Sequence, residues 1–255
     1  MKKFWIAAVI FTLAAGPASS YDPNNKRLQA LRAVPLNSKP ENLNRYISAL
    51  KDEDQSLHYV AIKALEKIKS PKAVPPLAEA LAGGEPNHML YPMIVEALGN
   101  IGDAGAVEAL LPLLKSEDIY TTPAALAKIN DKRAVEPLIN ALHASDERFR
   151  VKAAEALGRL KDARAIEPLA ALLEEPALSV RWAAADALGR IGGARTVEPL
   201  ILALKDRNFG VRWSAAVALG EIGSKRAEVP LKALLNDPNA YVRRTAQESL
   251  EKLRG

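Results

Sequence analysis

The sequence predicts an all-α fold of about seven antiparallel helix pairs, stacked one on the next. Three observations carry that prediction. The phrase VRWAAADALGRIGGARTVEPLILAL, which starts at Val180, returns from Val211 as VRWSAAVALGEIGSKRAEVPLKALL. Inside each copy the apolar residues recur at three- and four-residue spacing, the period of a helix face. Hydrophobic residues make up 49% of the chain and aromatic residues only 5%, much of the remainder being Ala and Leu. Such a composition suits closely approaching helices better than a sheet sandwich.

The repeat interval is 31 residues. Phe149, Val180, Val211 and Val242 fall in register, as do Arg150, Arg181, Arg212 and Arg243, and Leu157, Leu188, Leu219 and Leu250. Gly158, Gly189 and Gly220 follow, with Glu251 in the same place at the end. Pro137, Pro168, Pro199 and Pro230 mark the other half of each unit. One helix pair cannot bury its apolar faces alone, so stacking of successive pairs supplies the core.

In chain order, residues 1–20 read as a secretory signal peptide. Lys2 and Lys3 precede an apolar run from Phe4 to Ala15, and the small Ala18 and Ser20 stand before Tyr21. The other reading, a short membrane anchor, needs about 20 apolar residues, more than this run offers. Residues 21–40 form an extended or partly helical lead-in, and 41–255 the repeat domain. The pairs are expected at 41–51 with 55–68, 72–82 with 87–100, 104–114 with 118–129, 133–143 with 147–160, 164–173 with 178–191, 195–204 with 209–222, and 226–235 with 239–253. The first three are less regular, and Pro123 weakens the start of its helix. Asp237 before Pro238 reads as an N-cap.

The chain has no cysteine, which excludes disulfides and thiolate metal sites. Its formal net charge of +5 falls to +3 without Lys2 and Lys3. Acidic and basic residues interleave, so no basic stripe marks a nucleic-acid partner. Nothing after residue 20 is apolar enough for stable membrane insertion.

The recurring motif, standing here as FRVKAAEALGRLKDARAIEPLAAL and in the two copies quoted above, resembles HEAT repeats of the phycobiliprotein-lyase type. The likeness is most specific from about 131 to 250, weaker from 41 to 130, and does not reach the lead-in. It implies a right-handed α-solenoid in which the "VRxxAAxALG" helix lines the concave face. It also implies a choice among bilin-attachment proteins, protein-binding scaffolds and an iron-dependent hydroxylase of a modified lysine, so the fold alone does not select a function. A bacterial origin, with export to the periplasm or the medium, follows from combining this repeat type with the signal peptide.

The hydroxylases carry His-Glu pairs directly after the "VR" position. Here those places hold Val151-Lys152, Trp182-Ala183, Trp213-Ser214 and Arg244-Thr245, and earlier Tyr59-Val60, Pro92-Met93 and Tyr120-Thr121. The three histidines, His58, His88 and His143, are scattered. No catalytic, cofactor-binding or metal-binding residue is assigned, and an enzyme is the less favoured reading. The arginines at 150, 181, 212 and 243 are expected to bond helix-end carbonyls or loop carboxylates, with Asp206 before Arg212 and Asp237 before Arg243 as partners.

The residues the scaffold does not need are the variable positions of the inner helix. Trp182, Trp213, Asp186, Arg190, Arg159, Glu155, Glu221 and Arg244 are the candidate protein-binding set, with Lys152, Val217 and Glu248 on the same face and Phe209 and Tyr241 near the helix starts. Mixed charge there suits a protein or peptide partner. Two readings of the tryptophans stand open: an interface centre, or indoles lying flat in an inter-repeat groove. The leading function is an exported scaffold binding a protein on its concave face. The alternatives are a bilin-lyase-like or accessory enzymatic role and a structural spacer in an envelope assembly.

Overall fold

A computed structural model describes residues 25–83, 90–116 and 119–254. The residues of the signal-peptide reading, and His88, lie outside them. Helices account for the regular structure, and no strand occurs among the described residues. The chain divides into two compact units, Met1–Pro112 and Leu113–Gly255.

In the first unit, α1 (Lys26–Arg32) is followed by α2 (Pro40–Ala49), α3 (Gln55–Ile68), α4 (Val74–Ala82), α5 (Tyr91–Ile101) and α6 (Val107–Leu110). The lead-in is thus partly helical, and it is anchored. Asn25 caps α1 by accepting from the Leu28 backbone N–H, and it donates to Asp54 at 2.6 Å. The buried Tyr46 hydroxyl donates to the Val34 carbonyl at 2.6 Å, and burial pushes its pKa up. Arg27 of α1 pairs with Asp52, 25 residues on.

The second unit holds α7 (Thr121–Ile129), α8 (Val135–Ala141), α9 (Glu147–Leu160), α10 (Ile166–Ala171), α11 (Leu178–Ile191), α12 (Val197–Ala203), α13 (Phe209–Ile222), α14 (Glu228–Ala233) and α15 (Ala240–Arg254). A 3-10 turn precedes each first helix, as at Lys132–Ala134 and Ala163–Ala165. The proline of each "EPL" then falls at the third helical residue, where no intrahelical N–H bond is lost. Pro123 likewise sits third in α7, so it sets the helix start at Thr121, later than the expected 118, rather than distorting an ongoing helix. Asp131 and Asp162 cap the 3-10 turns, accepting from the Arg133 and Arg164 backbone N–H groups. Hydrogen bonds from Arg164 lower the Asp162 carboxyl to about 2.

Consecutive second helices of this unit, α9, α11, α13 and α15, pack directly on one another. The glycine of each "ALG" makes that approach possible. A Cβ on Gly158 would stand 2.8 Å from the Ala187 Cα, and one on Gly189 would stand 2.7 Å from the Ala218 Cβ. Gly220 faces Ser249, whose hydroxyl donates to the Ala216 carbonyl at 2.8 Å. Glu251 stands exposed where a further glycine would fall, and Gln247 donates to it at 3.3 Å.

The arginines form the joints between repeats. Arg181 Nη1 donates to the Glu175 and Pro176 carbonyls of its own loop, while Nε and Nη2 reach Asp206 of the following loop at 2.7 and 3.3 Å. Arg212 does the same with the Asp206 and Arg207 carbonyls and with Asp237 at 2.7 and 2.8 Å. The bridging role matches the expectation, but the carboxylate comes from the loop after each arginine, not the loop before it. The preceding aspartate offers only its carbonyl, because its carboxylate already serves the previous arginine. Asp237 is not the helix cap, because α15 begins only at Ala240; its carboxylate accepts from the Asn239 N–H at 2.8 Å, ahead of the helix. Asn239 is the cap, accepting from the Tyr241 N–H at 2.9 Å.

Two positions in the first unit follow this pattern in altered form. The Arg27–Asp52 pair spans the same 25 residues as Arg181–Asp206 and Arg212–Asp237. His58 sits where an arginine would, six residues past Asp52, with Nε2 at 2.6 Å from the Asp52 carbonyl. α1, packed on α3, therefore contributes to the first repeat what a preceding second helix contributes elsewhere.

Candidate functional site

The second-helix face of the second unit carries all eight candidate residues. Its register is pinned at both ends. Ser179 hydrogen-bonds to Glu147 near the helix starts, and Gly158 meets Ala187 near the helix ends. These contacts join residues 32 and 29 apart, bracketing the 31-residue interval, so residues 31 apart fall at matching levels on neighbouring helices, and residues four apart lie one turn along the same helix.

This register forms a grid. One row contains Val151, Trp182, Trp213 and Arg244. The row one turn earlier contains Glu147, Leu178, Phe209 and Ala240. Trp182 is 48% exposed and Trp213 40%, with Leu178 at 45% and Phe209 at 48%. Each indole thus keeps close to half of its surface in solvent. Together the four side chains form an apolar cluster across α11 and α13, extended by the exposed Tyr241 at the start of α15. The positions beneath them, Ala184, Ala185, Ala215 and Ala216, are fully buried, so small residues make the close helix contacts under the cluster.

One turn further along, the row is Glu155, Asp186, Val217 and Glu248, and beyond it lie Arg159, Arg190, Glu221 and Lys252. Asp186 accepts from Arg190 at 2.6 Å, Glu248 from Arg244 at 2.8 Å, and Glu155 from Lys152 at 2.9 Å. These are exposed pairs within single helices, worth a few tenths of a kcal/mol each. Arg159 and Glu221 are exposed, and neither has an ion-pair partner among the described residues.

The structure thus places the candidate residues on one face in two bands, one apolar and one charged. Leu178 was missed from the sequence. The signal was there, since it lies one turn before Trp182 and one repeat before Phe209. The other histidine within the described residues, His143, is exposed just after Leu142, away from this face. No group of three His, Asp or Glu that could hold a metal ion occurs among the described residues, and the chain has no His-Glu dipeptide. No described helix is long and apolar enough to cross a membrane.

The model for HEAT repeats matches residues 18–90, 120–180 and 170–251, and that for the PBS lyase HEAT-like repeat matches 93–116. No curated protein matches the chain. Among solved structures, an engineered protein is 22% identical, with a TM-score of 0.55 over 97% of this chain and 78% of its own. The complex of CpcE and CpcF of phycocyanin lyase from Nostoc sp. PCC7120 is 24% identical, with a TM-score of 0.52 over 83% of this chain and 94% of its own. At these identities the likeness concerns the fold, an all-α stack of helix pairs. The HEAT-repeat matches span most of the sequence and coincide with the joints and close helix contacts described above, so the chain belongs to the HEAT-repeat family.

Proposed function

We propose that this protein is an exported helical-repeat scaffold that binds a protein partner on the second-helix face of its C-terminal unit, the concave face in the family's usual arrangement. The observation that carries the proposal is the half-exposed cluster of Leu178, Trp182, Phe209 and Trp213 above a fully buried alanine layer. Large aromatic side chains at the centre of a contact bury much area and lose little side-chain freedom. The export element rests on the residue pattern of positions 1–20.

Replacing Trp182 and Trp213 together by alanine tests the reading. Partner affinity should fall about thirtyfold or more, equivalent to ~2 kcal/mol, with helicity and melting temperature nearly unchanged. A lowered melting temperature with unaltered affinity would mean that the indoles serve packing.

A second reading is that the chain is a bilin-lyase-like component or an accessory to one. The PBS lyase HEAT-like match at 93–116 and the fold likeness to the CpcE–CpcF complex favour it over a scaffold of unrelated purpose. It shares the need for a protein partner. Titrating the protein with a free bilin distinguishes the two: a shifted and intensified visible absorption band supports the second reading, and an unchanged spectrum rejects it.

A further inference from the structure

We infer that the end of the second unit made by α14 and α15 is a closed end, built so that no further copy of the repeat stacks on it, one from a second molecule included. Four positions recur in the regular copies besides the joint arginine. The first residue of the first helix is apolar: Val135, Ile166 and Val197 are at most 2% exposed. The glutamate after it pairs with an arginine of the following unit, as in Glu136–Arg164, Glu167–Arg195 and Glu198–Arg226. On the second helix a fully buried alanine, Ala154, Ala185 or Ala216, stands one turn ahead of the glycine. That glycine admits the next helix, as Gly158 admits Ala187 and Gly189 admits Ala218.

None of the four is kept in α14 and α15. The order Val-Glu is inverted to Glu228-Val229. That exchange puts a carboxylate where the other copies bury an aliphatic side chain. It also leaves Val229, 75% exposed, where they offer a carboxylate to the next arginine. Glu228 pairs instead within its own helix, with Lys232 at 2.7 Å. Gln247 takes the place of the alanine and Glu251 that of the glycine, and both are exposed. Arg243, Gln247 and Glu251 lie four apart and so form one stripe. In α11 the same stripe is Arg181, Ala185 and Gly189, and it faces forward, reaching Asp206 and Ala218. The side of α15 that faces back keeps its apolar residues, with Val242, Ala246 and Leu250 buried.

Any end of a stack is exposed, but an end need not change its residue types. With Val, Ala and Gly retained, it would present an apolar cross-section shaped for another unit. Copies joined head to tail through such a surface form open filaments, because the contact does not close on itself. The polar set blocks that route in two ways. A docking unit would have to bury Glu228 and Gln247, taking both out of water. It would also meet a side chain at Glu251, at a level where even a Cβ on Gly158 would stand 2.8 Å from the next helix. The changes are confined to the forward side, which separates a cap from general drift of the last copy.

The test appends a duplicate of residues 225–255, in register, after Gly255 of the full-length chain. Hydrogen exchange in the appended helices should stay fast, and the melting temperature should match that of the parent. With E228V, V229E, Q247A and E251G made in the original copy alone, the duplicate should dock. Exchange in its helices should then slow at least about tenfold, and the melting temperature should rise by about 2 °C or more. Docking of the duplicate on the unaltered end overturns the inference, as does failure to dock on the altered one. Circular dichroism of the altered chain without the duplicate checks that it keeps the parent's helicity; if it does not, Q247A/E251G carries the same comparison. A photo-reactive residue at Gln247 of the otherwise unaltered protein gives a separate check. A cross-link from it to α14 or α15 of a second copy, or to any first helix there, also overturns the inference; its absence at all concentrations supports it.

Discussion

Removing the Asp237 carboxylate should cost the second unit about 3–4 kcal/mol. Arg212 Nε and Nη2 donate to its two oxygens at 2.7 and 2.8 Å, and the side chains are 12% and 4% exposed. Deleting one member of a buried pair leaves the other desolvated and unpaired, which costs about 3–5 kcal/mol; the partial exposure of Arg212 points to the lower end. Asp237 also accepts from the Asn239 N–H at 2.8 Å, and losing that acceptor adds about 1 kcal/mol. At roughly 2–4 °C per kcal/mol, D237A should melt about 10 °C lower. Nearest-neighbour coupling confines the damage, so hydrogen exchange should quicken most in Phe209–Ile222 and Ala240–Arg254. In a cycle with R212A the two losses should be non-additive by at least about 1.5 kcal/mol. A loss under about 1 kcal/mol for D237A, or simple additivity, would refute the joint as a stabilising element. The hydrogen bonds from Arg212 hold the Asp237 carboxyl below the ordinary carboxylate range. A group whose folded pKa is depressed stabilises fully above its unfolded value, about 3.9, and loses that contribution as pH falls through the folded one. The advantage of the parent over D237N should therefore be constant from pH 7 to 5 and shrink only below about pH 4.

Three further outcomes follow from the same geometry. G158A should destabilise by about 1–2 kcal/mol in urea unfolding despite its better helix propensity, because the new methyl meets the Ala187 Cα at 2.8 Å. K161G should stabilise by about 0.5–1 kcal/mol, since Lys161 ends α9 with φ at 52°, a conformation glycine adopts freely. E175D should stabilise by about 1 kcal/mol: Arg150 Nη2 lies 4.0 Å from Glu175 and its buried Nε has no partner, whereas aspartate at this position reaches both donors in the next two joints.

The helix pairs were legible because a 31-residue interval shows itself without any structure, and the second-helix limits in the regular region fall within two residues of expectation. The tryptophans stood out in the sequence as inner-helix positions at which the repeats vary, but their exposure did not, since one residue spacing serves both an open interface and a filled groove. The direction of the arginine joints was hidden for a related reason. Asp206 is six residues before Arg212 and 25 after Arg181, and sequence distance favours the wrong one. Only the packed geometry shows that the carbonyl serves one arginine and the carboxylate the other. The part played by Arg27 was obscured because the motif around it is missing, leaving only the guanidinium and its interval to Asp52.

The joint has a consequence for how such chains grow longer. Each unit gives a guanidinium to the neighbour after it and a carboxylate loop to the neighbour before it. A duplicated stretch of 31 residues from ahead of Glu228, wherever the copy begins, therefore arrives with one of each. Its loop takes up the arginine left behind, its own arginine takes the next aspartate, and its glycine meets the next alanine as Gly158 meets Ala187. The insertion heals itself at both ends and asks no existing residue to change. Such a chain can gain length before it gains any use for it, and the exposed positions of the new copy, tied to no joint, are then free to diverge.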